Sequence, residues 1–368
     1  MLTRLYVDNY KCLVNLTVEF KPVSLLLGPN GSGKSSVLQV LAAVRDLLCD
    51  KDPVDLDFPA ETLCRWETRT LQHFEVEIHR EGQRYVYTLE LDSEPKKKHR
   101  RIVLEELTHN GGPLFRFSEG EVALFRDDYS EGPRFFSDWT RSMLATVPER
   151  PENTRLTWFR NYLSSWTCGS LIPASMLSEV QQEEEVLNAV GGNFASWYLG
   201  LKLARFDATE RHHNYLRQVI PGFKGFDFKP AGKRHILYAS FTGGEAQRDQ
   251  QYRFDELSDG QRALAVLYAL IAYSEQDNPQ AVMLDEPDNY VALSELQPWL
   301  QELTDACEEL RLQAIMVSHH PEFYDYLGAE CGIWLAREPG GPTRVMPPPD
   351  LKEAGLRLSE LAARGWVP

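Results

Sequence analysis

The chain has 368 residues, 43% of them hydrophobic and 25% charged, with a formal net charge of −15. That length can bury a full core, and the composition is that of a folded globular protein rather than a disordered or fibrous one. The acidic balance excludes a surface that is basic throughout, although a local basic groove stays compatible with it.

Residues 2–7 and 13–20 read as strands about a polar turn at 8–11. Residues 23–27 (VSLLL) form a short continuous apolar run, the pattern of a strand buried on both faces. A glycine-rich loop follows, then a helix from 35 to about 48. Residues 73–125 alternate with period two and predict antiparallel hairpins, with turns at Glu81-Gly82 and at HNGG. The basic run KKKHRR at 96–101 reads as a solvated turn between strands, with a nucleic-acid contact as the alternative.

Residues 126–215 are aromatic-rich and read as mostly helical, with an acidic helix start at 183–185. The RHHNY stretch at 211–215 invites a metal, but adjacent histidines point to different sides of a helix and lack cysteine or carboxylate partners. From Gly225 strands return. LSDGQR at 257–262 then heads an apolar helix, and strand–helix–strand–helix follows to the end. The expected layout is one domain over 1–368. Its parts are a phosphate-loop and antiparallel β part (1–125), a mainly helical insertion (126–224) and a C-terminal part (225–368).

No apolar run approaches the roughly 20 residues that span a bilayer. The N-terminus lacks an apolar signal core, and the six scattered cysteines form no CxxC pair. A reduced, cytoplasmic protein without membrane contact is expected.

Residues 28–35, GPNGSGKS, satisfy G-x-x-x-x-G-K-[ST] at every required position, between a buried strand and a helix. Gly28, Pro29, Asn30, Gly31, Ser32 and Gly33 form a loop expected to wrap phosphates, with successive N–H groups of its non-proline residues facing them, since glycine permits positive φ and close approach. The helix start at Lys34, Ser35 and Ser36 adds partial positive charge. Lys34 should reach the β- and γ-phosphates of ATP, and the Ser35 hydroxyl should ligate Mg²⁺.

Strand 281–284 ends in Asp285-Glu286-Pro287. Asp285 is suited to holding Mg²⁺ through water and Glu286 to polarising the attacking water; the bland alternative is a solvated corner. The strand at 313–317 ends in Ser318-His319-His320-Pro321. There His319 is a candidate γ-phosphate contact or, alternatively, part of a structural turn. Ser258 is a good N-cap, and Asp259 suits the first turn of the helix it opens.

In order, GPNGSGKS, LSDGQR, VMLDEP and VSHH resemble the Walker A, signature, Walker B and switch-histidine elements of ABC-type ATPases. The opening LYVDNYKCLVNLTVEF is similar to that of the RecF/SMC-like branch. GGNFASWY, LSDGQRALAVLYALIA and LSELAARGWVP resemble bacterial stand-alone AAA-labelled ATPases related to the ATPase half of OLD-family nucleases. The resemblance implies an α/β P-loop fold with a mixed sheet core, an antiparallel β lobe and a helical lobe. It implies a homodimer closing around two ATP molecules, with Ser258, Gly260 and Gln261 meeting the partner's nucleotide, and a catalytic set of Lys34, Glu286 and His319.

The sequence departs from the family in three places. Asp259 replaces a glycine, so its side chain must turn away from phosphate. DNYVALSE follows the acidic strand end in place of the usual sequence. The family's further glutamine could be Gln72, Gln181 or Gln182. With no long heptads, no zinc hook and no room for a nuclease domain, any effector is expected to be a separate nuclease or toxin. A DNA-linked role in genome maintenance or anti-phage defence is favoured. A regulatory ATPase acting on a protein without DNA is the rival, ahead of transporter subunits and small-molecule kinases.

Overall fold

Three hairpins in the region of alternating residues turn on two-residue loops whose backbones both have positive φ. They are Glu81-Gly82 (50° and 78°), Asn110-Gly111 (49° and 82°) and Glu119-Gly120 (54° and 82°). Such turns match the right-handed twist of the strands they join, which is why glycine recurs at the second position. In the computed structural model these hairpins belong to an eight-stranded antiparallel sheet. Its order is Leu16–Glu19, Leu2–Asp8, Gln72–Arg80, Gln83–Glu94, His99–His109, Gly112–Ser118, Glu121–Phe125 and Glu131–Phe136.

The structure describes residues 1–94, 99–243, 249–274, 280–309, 312–348 and 357–365. They cluster into two units, Met1–Trp166 with Leu327–Pro368, and Thr167–Tyr326. In the first unit, Val23–Leu27 is buried at all five positions. It pairs in parallel with Gly332–Arg337, which pairs antiparallel with Thr343–Met346. Helix Lys34–Cys49 follows the apolar strand and buries Val37, Leu41, Val44 and Leu48 on one face, the i, i+3, i+4 spacing of a core-facing helix.

The second unit holds a parallel pair, Gln280–Asp285 with Leu312–Val317, in a register that sets Asp285 opposite Val317. Helix Asp259–Ala272 is buried at every residue from Ala263 to Ala272, as its unbroken apolar run requires. A smaller antiparallel sheet is built on Phe223–Ala231 and Arg234–Phe241.

The stretch 126–224 is less helical than its aromatic spacing suggests: α-helices cover only Thr154–Ser164, Phe194–Ala204 and Phe206–Val219, with short 3-10 turns at Leu144–Thr146 and Pro173–Ser175. Residues 183–185 start no helix, and Glu184 instead accepts from Asn193 Nδ2 at 2.5 Å. His212 and His213 are both buried and hydrogen-bonded within the protein. His212 Nε2 meets Ala265 O at 2.9 Å and Nδ1 meets Tyr198 Oη at 3.1 Å, while His213 Nε2 accepts from Phe226 N at 3.1 Å.

The basic run is a second correction. Residues 96–98 lie outside the described residues, but Arg100 sits within strand His99–His109 at 1% exposure. Its Nη1 donates to Gln72 Oε1, and burial lowers its pKa to about 10. Arg100 is therefore a core side chain and no part of a solvated turn.

Candidate functional site

The phosphate loop lies in the first unit. Gly28, Gly31 and Gly33 hold φ of 139°, 79° and 103°, conformations that favour glycine. Space reinforces the requirement at two of them. A Cβ on Gly28 would fall 2.0 Å from Leu335 O, and one on Gly33 would fall 2.6 Å from Thr343 Oγ1. Thr343 fastens the loop from behind, donating through Oγ1 to Ser32 O at 2.8 Å and through its amide to Cys12 O at 2.9 Å. Neither Thr343 nor Arg337, whose Nη1 donates to Gly31 O at 3.4 Å, carries a motif that sequence reading could find. They reach the loop by strand pairing more than 300 residues downstream.

Gly33 caps helix Lys34–Cys49 in a left-handed conformation, so the first amides of the helix open toward the loop. Lys34 is 5% exposed, and its Nζ donates to Gly28 O at 2.8 Å and Pro29 O at 3.0 Å. The Ser32 hydroxyl is buried without a hydrogen-bond partner among the described residues. A glycine loop closed to a Cβ at Gly28 and Gly33, an orphaned hydroxyl and a lysine folded onto carbonyls suit a chain of phosphates. Pro29 and Asn30 are exposed in the loop, and Ser35 and Ser36 are half-buried in the first turn of the helix.

The other motifs lie in the second unit. Ser258 caps helix Asp259–Ala272 through a reciprocal box: its Oγ accepts from Gln261 N at 3.3 Å, and its amide donates to Gln261 Oε1 at 3.2 Å. The Asp259 carboxylate turns along the helix to Arg262 Nη2 at 2.5 Å, leaving the helix end clear of negative charge. Gly260 has no room for a side chain, since a Cβ there would lie 2.7 Å from Tyr290 O. The helix start and the turn after the acidic strand end are thus packed against each other.

In that turn Glu286 adopts φ 51°, a rare conformation for a residue with a side chain and one that concentrates at functional sites. Its amide donates to Val317 O at 2.8 Å, continuing the strand pairing past Asp285. Asn289 Nδ2 donates to Glu286 Oε2 at 2.8 Å. His319 is exposed at the end of Leu312–Val317, beside a buried Ser318 whose Oγ accepts from His320 N at 2.9 Å.

Of the three glutamines, Gln72 is fully buried. Its Nε2 donates to Asn9 O at 2.7 Å and Thr62 O at 3.2 Å, while its Oε1 accepts from Arg100. It fastens the Asn9 turn and cannot reach a ligand. Gln181 and Gln182 are exposed in a loop after strand Glu179–Val180. No described helix is long and apolar enough to cross a membrane.

A family model described as "AAA domain, putative AbiEii toxin, Type IV TA system" matches residues 23–325. The chain is similar to a curated relative, "OLD nuclease" of Thermus scotoductus, at 22% identity over 343 residues. The match covers 88% of this chain and 60% of the relative, so the chain spans less than two thirds of that protein's length. Among solved structures, an Smc head bound to the C-winged helix domain of ScpA is similar with TM-score 0.55 and 11% identity, covering 94% of this chain and 96% of that one. An SMC head domain from Thermotoga maritima gives TM-score 0.47 and 16% identity over 94% and 98% of the two chains. At 11% identity the likeness to the ScpA-bound head concerns the fold alone.

Proposed function

The chain belongs to this AAA-domain family, and from that premise we propose that it binds and hydrolyses ATP as a dimerising conformational switch linked to DNA. The observation that carries nucleotide binding is the glycine cradle, closed to side chains at Gly28 and Gly33 and lined by Lys34. Asn30 through Ser36 supply the amides that bind the phosphates, and Lys34 exchanges its loop carbonyls for phosphate oxygens. Ser35 and Asp285 offer the hard oxygen donors that suit Mg²⁺, which when bound neutralises charge on the phosphates. Glu286 takes the proton of the attacking water, and His319 contacts the γ-phosphate.

The signature end implies a second copy of the chain. Ser258, Gly260 and Gln261 present a capped helix start from the second unit, while the phosphate loop has its own helix start in the first. In a closed dimer they meet the partner's ATP, so binding closes the pair and hydrolysis reopens it. The similarity to an OLD nuclease supports an output linked to nucleic acid, here read as DNA in genome maintenance or anti-phage defence, with a separate nuclease or toxin as effector.

Turnover of ATP by wild type and Glu286→Gln, with and without duplex DNA, tests the proposal. The variant should bind ATP, turn it over slowly and accumulate as a dimer on size exclusion. DNA should stimulate the wild type in a way that fades as salt rises. Wild-type turnover by Glu286→Gln would refute its role as base. Turnover indifferent to DNA would move the output to a protein effector, the reading that the net charge of −15 favours.

A further inference from the structure

We infer that Asn289 is a positioning residue for Glu286, holding its carboxylate in the direction from which it takes the proton of the attacking water. This rests on the reading of Glu286 as base given above. The family resemblance assigns nothing to the DNYVALSE stretch that contains Asn289, so the inference comes from the turn itself.

Asn289 binds Glu286 twice. Its amide N–H donates to Glu286 O at 3.3 Å, and its side-chain Nδ2 donates to Glu286 Oε2 at 2.8 Å. The backbone bond closes the turn and the side-chain bond fixes the carboxylate. Glu286 leaves the strand in a left-handed conformation at φ 51°, which swings its side chain out of the alternation of the strand. Buried Pro287 follows it, and the Val291 amide, donating to Asp288 O at 3.0 Å, tightens the far side of the turn. The base therefore stands on a rigid backbone, and the freedom left to it is rotation of its side chain. Asn289 removes that freedom from one oxygen and leaves the other for a water.

The chemistry favours an amide in this place. As the water oxygen bonds to the γ-phosphorus, the bond from that phosphorus to the ADP oxygen breaks. The water's proton passes to Glu286, and afterwards to phosphate or solvent. A neutral N–H donor can orient the carboxylate without competing for that proton. Asn289 and Tyr290 are solvent-exposed, and the turn rests on the signature helix through Tyr290 O and Gly260. Closure of a second copy over Ser258 would therefore cover this hydrogen bond and strengthen it as water leaves.

Two substitutions in the full chain test the inference by steady-state ATP turnover with Mg²⁺. Asn289→Ala should lower kcat on the order of ten- to a hundred-fold while KM for ATP and the melting temperature stay at wild-type values. Asn289→Asp keeps the size and turn preference of asparagine, but its carboxylate has no N–H to donate. It should be at least as slow as Asn289→Ala. A purely structural turn residue would be rescued by aspartate, so wild-type kcat in Asn289→Asp would overturn the inference, whether or not Asn289→Ala folds. Glu286→Gln separates the two failures: an inactive Glu286→Gln beside a fully active Asn289→Asp refutes positioning alone, and an active Glu286→Gln refutes the base.

Discussion

Alanine at Gly33 and at Gly31 separates backbone strain from crowding within one loop. Both glycines have φ in the region unfavourable to other residues, 103° and 79°, and an L-residue held there costs about 1–3 kcal/mol. At Gly31 a methyl group meets nothing within 4 Å, so that strain is the whole cost. At Gly33 it would lie 2.6 Å from Thr343 Oγ1, 3.0 Å from Cys12 Sγ and 3.1 Å from Leu13 Cδ2. The nearest of these is the hydroxyl that donates to Ser32 O at 2.8 Å. Displacing it leaves a buried carbonyl unpaired, for about 1–3 kcal/mol more. Gly31→Ala should thus lose about 1–3 kcal/mol, and Gly33→Ala about 2–6 kcal/mol. Denaturant melts measure the stabilities, and calorimetric titration with Mg-ATP measures the site. Gly31→Ala should keep measurable binding, whereas Gly33→Ala should lose it, because Ser32 and the first helical amides move with Thr343. Equal costs at the two positions, or wild-type affinity in Gly33→Ala, would refute the crowding account.

Two further outcomes follow from the second unit. Ser258→Arg should leave ATP binding by the monomer within about two-fold of wild type, since an exposed helix start on a rigid helix can carry the larger side chain, yet abolish dimer closure and turnover. Loss of monomer binding in that variant would show that the capped helix serves its own chain. Burial lowers the pKa of His212 to about 3 and of His213 to about 4. In the unfolded chain both take up protons near 6.5 while the folded protein keeps them neutral. Stability is therefore full above pH 6.5 and falls as the pH drops toward 4, by about 2 kcal/mol for each histidine at pH 5. His213→Gln, whose amide oxygen can accept from Phe226 N, should remove about half of that acid sensitivity in melts at pH 8 and pH 5. An unchanged pH dependence would count against it.

What could be read in advance follows the physical source of each signal. Val23–Leu27 and Leu312–Val317 are buried on both faces and announce themselves as unbroken apolar runs. The hairpins show through alternation and through glycine at their turns. The cap at Ser258 is a local hydrogen-bond pattern, legible from Ser258 and Gln261 alone. By contrast, strand Glu131–Phe136 is exposed at nearly every position. With neither face in a core it carries no alternation, so it is lost in a stretch that reads as helical. Arg100 misleads for a related reason: a sequence displays its charge, while Gln72, which receives its hydrogen bond, lies 28 residues away. Thr343 and Asn289 escape because each acts through a pair of hydrogen bonds that no motif encodes.

The close approach of Gly260 to Tyr290 distributes tolerance to change unevenly. One side of that contact is a missing side chain and the other is a main-chain oxygen, which every amino acid supplies alike. Drift at position 290 leaves the contact untouched, whereas at position 260 any departure from glycine collides with it. A variant library spanning both positions should therefore accept many residues at 290 and almost none at 260.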